Sequence, residues 1–208
     1  MRLRTVLGVA AGAAVVASAG DLLLLWVAAA TLPALALATP PWWALPAGLF
    51  AGVLAIPFYG FGYAALASAL PVSDRWSTTL VRVAGFVGGA LGSAIHGITG
   101  TALAAELGTP GAEIAPLALV GRWGATLVPL WILATASVLV ASLLWARSAW
   151  RGHAGVPRWT ALANPALGTV VLACAGATTP LLQTLLLPAA PNLAHAAFFA
   201  TVALTMRR

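Results

Sequence analysis

The sequence contains no lysine, only four acidic residues and a single cysteine, and each shortage removes a class of protein. With ten arginines added, charged residues make up 7% of the 208 positions. A soluble domain carries about 25%, so this chain cannot cover a water-facing surface. The formal net charge of +6 would suggest a polyanion partner in a soluble protein. Here the arginines are few and scattered, so neither a nucleic-acid binder nor a disordered basic tail is expected. The lone Cys174 lies in an apolar run, which excludes a disulfide framework and a paired-thiol redox centre. It is expected to be a buried, inert thiol.

What the chain has instead is hydrophobic length, at 62% apolar residues and a mean hydropathy of +1.00. A membrane-crossing helix needs roughly 20 mostly apolar residues. Six runs qualify, at about 6–31, 44–70, 80–105, 117–146, 160–187 and 192–206. They are separated by Thr39-Pro40-Pro41, Pro71-Val72-Ser73-Asp74, Gly108-Thr109-Pro110-Gly111, Arg151-Gly152-His153 and Pro188-Ala189-Ala190-Pro191, where turn chemistry is dense. The runs are too long for barrel strands and lack a two-residue alternation. The expected fold is a single integral-membrane domain over 1–208, an all-α polytopic bundle of six spans. The first segment imitates a secretory signal up to Ala17-Ser18-Ala19-Gly20, but its apolar run continues through Leu22 to Trp26, so a retained helix is expected.

Orientation follows from arginine. Six spans put the N-terminus, the 71–79 loop, the 147–159 loop and the C-terminus on one side. That side then carries every arginine except Arg122. The positive-inside bias places both termini in the cytoplasm, in a bacterial cytoplasmic membrane. Trp76, Trp145, Trp150 and Trp159 fall at the inner interface and Trp42, Trp43 and Trp123 at the outer one, as an aromatic belt. Small-residue spacings such as Gly8/Gly12 and Gly48/Gly52 suit helix contacts. Gly85, Gly88, Gly89, Gly92 and Ser93 form a narrow ridge leading to His96, which marks the third span as central.

Ionisable groups inside hydrocarbon are expensive and need a reason. Two lie far from the expected span ends, Asp21 and His96. Each is ten residues from the outward end of its span, roughly 15 Å at 1.5 Å per residue, so their heights match. Other polar groups gather above them. Asn192 and His195 open the sixth span at i and i+3, on one face, and Gln183 ends the fifth. Arg122 and Trp123 open the fourth, and Glu106 and Glu113 border the loop before it. Trp26 lies between Asp21 and the outer surface, Trp131 is deep in the fourth span, and Tyr59 and Tyr63 belong to the inner half of the second. Asn164-Pro165 suits a capping or kink device. An outward-opening cavity with a polar floor is expected, above an inner half almost wholly apolar.

Simpler readings stand beside this one. Asp21 in neutral form could hydrogen-bond a neighbouring helix, with His96 as its structural partner. Asn192 and His195 could face headgroups, and Arg122 could anchor the interface. Asp21, His96, His195 and Glu106 could converge on a metal, but no short ligand motif is present, so no metal site is expected. Phosphate loops, nucleophile elbows, dinucleotide fingerprints and zinc-protease helices are absent from the sequence, and no cofactor is expected.

Gly20-Asp21-Leu22-Leu23-Leu24, Tyr59-Gly60, Gly62-Tyr63, His96-Gly97, Asn164-Pro165 and the segment from Pro188 through Asn192 to His195 resemble a family of small, largely uncharacterised bacterial polytopic membrane proteins. That likeness covers most of the chain and implies the fold. A looser architectural likeness is to the integral-membrane terpene cyclases and sterol isomerases. It implies a hydrophobic isoprenoid- or sterol-like substrate. In that reading Asp21, oriented by His96, protonates an alkene, Trp26 and Trp131 stabilise the cation, and His195 removes the final proton. Asn192, Gln183, Arg122, Glu106 and Tyr59 would line the substrate site. Two other classes remain open: a receptor or transporter with Asp21 as counter-ion, and a structural subunit. A proton-coupled carrier normally needs polar groups in both halves of the bundle and often an inverted repeat; the inner half lacks them, so a passive receptor is expected ahead of an active carrier. The expected partners are the bilayer and a lipid-like small molecule, with a homo-oligomer left open.

Overall fold

A computed structural model describes the backbone of 3–30, 38–108, 116–178 and 180–206, with side chains for all of these except 116–121 and 180–188. Among the described residues the chain is helical, with one short 3-10 turn, Arg158–Ala163. The helices are α1 (Leu3–Ala29), α2 (Ala44–Ala55), α3 (Phe58–Ser68), α4 (Arg75–Leu107), α5 (Pro116–Trp150), α6 (Pro165–Gly176) and α7 (Pro180–Thr205). Among the described residues four stretches are long and apolar enough to cross a membrane: Leu3–Ala29, Ala44–Ser68, Arg75–Leu107 and Arg122–Trp150. This is an all-α membrane protein. α7, with 26 residues, is about 39 Å long, while α6 has 12.

The second span is broken into α2 and α3 at Ile56–Pro57. Pro57 has no amide to give to the carbonyl four residues back, and that carbonyl belongs to Val53. The Ser93 hydroxyl of α4 supplies the missing bond, donating to Val53 O at 2.9 Å. A kink in one helix is thus satisfied by a side chain from the next, which is how proline is tolerated inside a bilayer. Ser93→Ala is expected to lower stability by about 1 kcal/mol, read as a shifted midpoint in a denaturing-detergent titration.

The end of the chain differs from the sequence reading. Pro188 to Pro191 do not separate two spans, since α7 runs through them from Pro180 to Thr205. The break falls earlier, where α6 ends at Gly176 and the Ala177 and Thr178 amides close on Ala173 O and Ala175 O. A proline removes one internal bond and does not by itself end a helix packed on both sides. Asn192 and His195 therefore lie mid-helix and do not cap a span. Asn164 does cap: its Oδ1 accepts from the Leu167 amide at 3.1 Å, at the start of α6. Cys174 is exposed on α6 and not buried. The 109–111 turn and Glu113 lie outside the described residues.

α1 packs between α7 and the α2–α3 pair, α4 lies against α2–α3 and α5, and α6 lies on α7. The small-residue ridge of α4 behaves as expected. Gly85 faces Tyr63, Gly88 faces Val138, and Gly89 and Gly92 face Ile56. Arg4 donates to the Met206 carbonyl, so the first and last helices end together. That arginine-rich half holds the main core, with Leu7, Tyr63, Leu66, Trp145, Phe198 and Phe199 almost fully buried. Smaller clusters built on Leu24, Val27 and Leu103, and on Ile95 and Leu127, fill the other half. Along α1 the main core ends at Ala17 and the smaller one starts at Leu24. Asp21 occupies the interval.

At the arginine-rich end Asp74 caps α4, accepting from the Ser77 amide at 3.1 Å. The Ser77 hydroxyl and amide hold this exposed carboxyl below its ordinary value of 3.8. A depressed carboxyl contributes stability above its unfolded pKa and loses it as pH falls through the folded one. The first turn of α4 is therefore expected to fray below about pH 4, seen as faster amide exchange at Ser77 and Thr78.

A buried carboxyl–imidazole site spanning five helices

The site begins with a close helix crossing. A Cβ on Gly20 would lie 2.8 Å from Gly48 O, and one on Gly48 would lie 3.0 Å from Gly20 O. Only hydrogen at both positions lets α1 and α2 approach this far. The crossing puts Asp21, the next residue on α1, beside the Gly48 carbonyl of α2. Gly52, one turn further along α2, leaves a notch into which the His96 ring fits. A Cβ there would come within 2.3 Å of three ring atoms.

His96 Nε2 lies 2.8 Å from Gly48 O. A carbonyl only accepts, so Nε2 carries a proton. The other ring nitrogen, Nδ1, is 3.2 Å from Asp21 Oδ1. That contact is attractive only with a proton between the two atoms, on the imidazole as an ion pair or on the carboxyl as a neutral acid. Either way the pair holds one shared proton and no net charge, which explains how the membrane interior tolerates it. The side chains are 5% exposed for His96 and 14% for Asp21.

The second carboxylate oxygen is also engaged. Asn192 Nδ2 donates to Asp21 Oδ2 at 2.6 Å, and the Tyr59 hydroxyl donates to Asn192 Oδ1 at 2.7 Å. Asn192 is thereby fixed in orientation, and α1, α2, α3, α4 and α7 are joined by one chain of hydrogen bonds. His195 lies one turn below Asn192. Its Nδ1 donates to Pro191 O at 2.7 Å, so its Nε2 accepts from the Tyr63 hydroxyl at 3.1 Å. The His195 ring stacks on Tyr59 with centroids 4.6 Å apart, and Phe199 closes the cluster. Each histidine thus commits one nitrogen as donor to a backbone carbonyl, Nε2 in His96 and Nδ1 in His195.

Of the residues expected at the site, Asp21, His96, Asn192, Tyr59 and His195 converge. Trp131 does not: it is 46% exposed on α5. Trp26 donates to Ala38 O at 3.0 Å, bonded to the segment after α1 and not to the acid. Arg122 pairs with Glu106 at the arginine-poor end of α4 and α5. Glu106 lies ten residues beyond His96, about 15 Å along the helix. The Gln183 side chain lies outside the described residues. Among the described residues no group of three metal-ligating side chains occurs. Two open grooves, of about 420 Å³ between α1 and α2 and about 520 Å³ along α4, are lined by neither Asp21 nor His96. Neither is the polar-floored cavity expected above the pair.

Sequence reasoning missed the Gly48 carbonyl and the working position of Tyr63. It also missed that the arginine-rich half is not purely apolar. Ser142, Trp145, Ser148 and Thr160 are buried there, together with Tyr63. Their polar atoms are small parts of side chains that hydropathy counts as neutral or apolar.

Over its whole length, residues 1–208, the chain belongs to a family of unknown function, DUF6796. No curated protein matches it. No solved structure matches it either.

Proposed function

We propose that this chain is a proton-linked binder or carrier of a lipophilic cation or weakly basic small molecule, with Asp21 as the counter-ion. The observation behind this is the single proton held between Asp21 Oδ1 and His96 Nδ1, with Nε2 committed to Gly48 O. A cation meeting Asp21 replaces that proton, and His96 returns to its neutral Nε2–H form. The pair gives up one positive charge with the proton and the cation restores it, so pair and ligand together stay neutral and the low dielectric does not forbid the exchange. Buried polar groups in the arginine-rich half, Ser142, Ser148 and Thr160, remove the objection that this half is too apolar for a carrier. The nine-to-one arginine distribution supports six spans with both termini cytoplasmic in a bacterial cytoplasmic membrane.

Titration of the purified protein with tetraphenylphosphonium in weakly buffered detergent tests this. A proton is expected to appear for each cation bound, and apparent affinity should fall as pH is lowered. Binding without proton release would overturn the exchange.

A second reading, an acid–base isomerase for an isoprenoid- or sterol-like substrate, draws on one observation. Asp21 is the more exposed member of the pair, with His96 seated behind it, as a general acid and its orienting base would be. That reading requires turnover of an uncharged isoprenoid alcohol such as geranylgeraniol, detected as a new isomer by mass-resolved chromatography. The displacement of Trp131 and the engagement of both His195 nitrogens weigh against the cyclase version.

A further inference from the structure

Three buried polar atoms on one face of α5 have no hydrogen-bond partner among the described residues: Ser142 Oγ, Trp145 Nε1 and Ser148 Oγ. They recur every three residues, so they lie on one face, drifting by about 60° at each step. Ser142 and Trp145 are fully buried and Ser148 is 7% exposed.

Leaving such groups unpaired in an apolar core costs about 1–3 kcal/mol each, and all three lie on one helix at a three-residue spacing. The serines also differ from four other helical hydroxyls of this chain. Ser18, Thr101, Ser137 and Thr205 each turn back onto the carbonyl four residues earlier, at 2.7–2.8 Å. Ser142 and Ser148 do not use that local option. Ser142 lies beside the Tyr63 phenol without completing a hydrogen bond. The Trp145 ring meets Phe198 edge-on at 6.1 Å, and its N–H has no partner among the described residues. Tyr63 itself is bonded to His195.

We propose that these three groups bind a file of water running from the Tyr63–His195 pair to the arginine-rich end of the bundle. The run from Ser142 to Ser148 spans about 9 Å, which about three waters cover at ordinary hydrogen-bond spacing. Each water would find one of these groups and a neighbouring water, which gives the two or more polar partners a buried water needs. The file ends two residues before Trp150, at the close of α5. Its role as the route by which protons reach or leave the acid cluster rests on the proton-linked reading above. Its hydration does not.

The test uses the full chain in lipid nanodiscs with ¹⁵N-labelled tryptophan. The Trp145 indole signal, assigned by its loss in Trp145→Phe, is expected to show a water cross-peak like those of the exposed Trp76, Trp150 and Trp159. A Trp145 N–H with no water contact, while the exposed indoles show theirs, overturns the file. The transport role is tested separately by stopped-flow proton release on mixing with tetraphenylphosphonium. The double variant Ser142→Ala/Ser148→Ala, which removes two unpaired hydroxyls without a steric change, is expected to slow release at least tenfold at unchanged amplitude. An unchanged rate overturns the proton route. Should the wild-type protein release no proton at all, the proton-linked function fails instead, and the water cross-peak still decides the file.

Discussion

Asp21→Asn is expected to abolish proton release on cation binding and to weaken tetraphenylphosphonium binding at least tenfold, while leaving the fold intact. The substitution is nearly isosteric, and the hydrogen-bond pattern accepts it. The amide introduced at position 21 can donate to His96 Nδ1 in place of the shared proton, while its carbonyl accepts from Asn192 Nδ2. The bonds to Gly48 and Tyr59 stay as they are. What disappears is a proton that can leave and a negative charge to receive the ligand. At an effective dielectric near 20, a charge pair at contact is worth about 4 kcal/mol, so a tenfold loss is a lower bound. Paired measurements of release amplitude and thermal stability check this. A variant that folds normally and still releases its proton would show that Asp21 only holds helices together, as the structural-subunit reading requires.

Gly52→Ala should be far more damaging than its size suggests. The added Cβ would lie 2.3 Å from the His96 ring, and the ring has little room to retreat because Gly48 O and Asp21 hold both nitrogens. Overfilling a packed site typically costs about 1–3 kcal/mol. Displacing the imidazole adds the cost of leaving Asp21 without its proton-sharing partner. Destabilisation of about 3 kcal/mol or more is therefore expected, with loss of proton release. Gly8→Ala, where nothing lies within 4 Å, serves as the control and should be neutral or slightly stabilising through helix propensity. Equal behaviour of the two variants in a denaturing-detergent titration would mean that the notch at Gly52 does not seat His96.

Some of this arrangement was legible in the residues alone. Asp21 and His96 stand out because charge is so rare in the chain, and counting 1.5 Å per residue from the span ends placed them at one height. The i, i+3 pairing of Asn192 and His195 gave their shared face. The position of that face along the membrane was misread, because Pro188 and Pro191 suggest a break that packing overrides. Trp131 shows a deeper limit. α5 is apolar all round, and lipid is as apolar as the protein core, so hydrophobic pattern cannot say which side of such a helix faces inward. Depth was readable for Trp131, but direction was not. The same blindness concealed Trp145, assigned to an interfacial belt by position yet fully buried against Phe198. Tyr63 and the Gly48 carbonyl were hidden for another reason. Their roles depend on which atoms the kink at Pro57 and the Gly20–Gly48 crossing bring together, and neither contact has a local sequence signature.

The proton between α1 and α4 can be examined directly by ¹⁵N magnetic resonance of histidine-labelled protein in lipid. His96, assigned by its loss in His96→Gln, should show a protonated Nε2 coupled to the Gly48 carbonyl carbon at every pH at which the protein is folded. Its Nδ1 should report the proton shared with Asp21 without ligand, and the loss of that proton when tetraphenylphosphonium binds. An unprotonated Nε2, or an Nδ1 signal indifferent to the cation, would contradict the account.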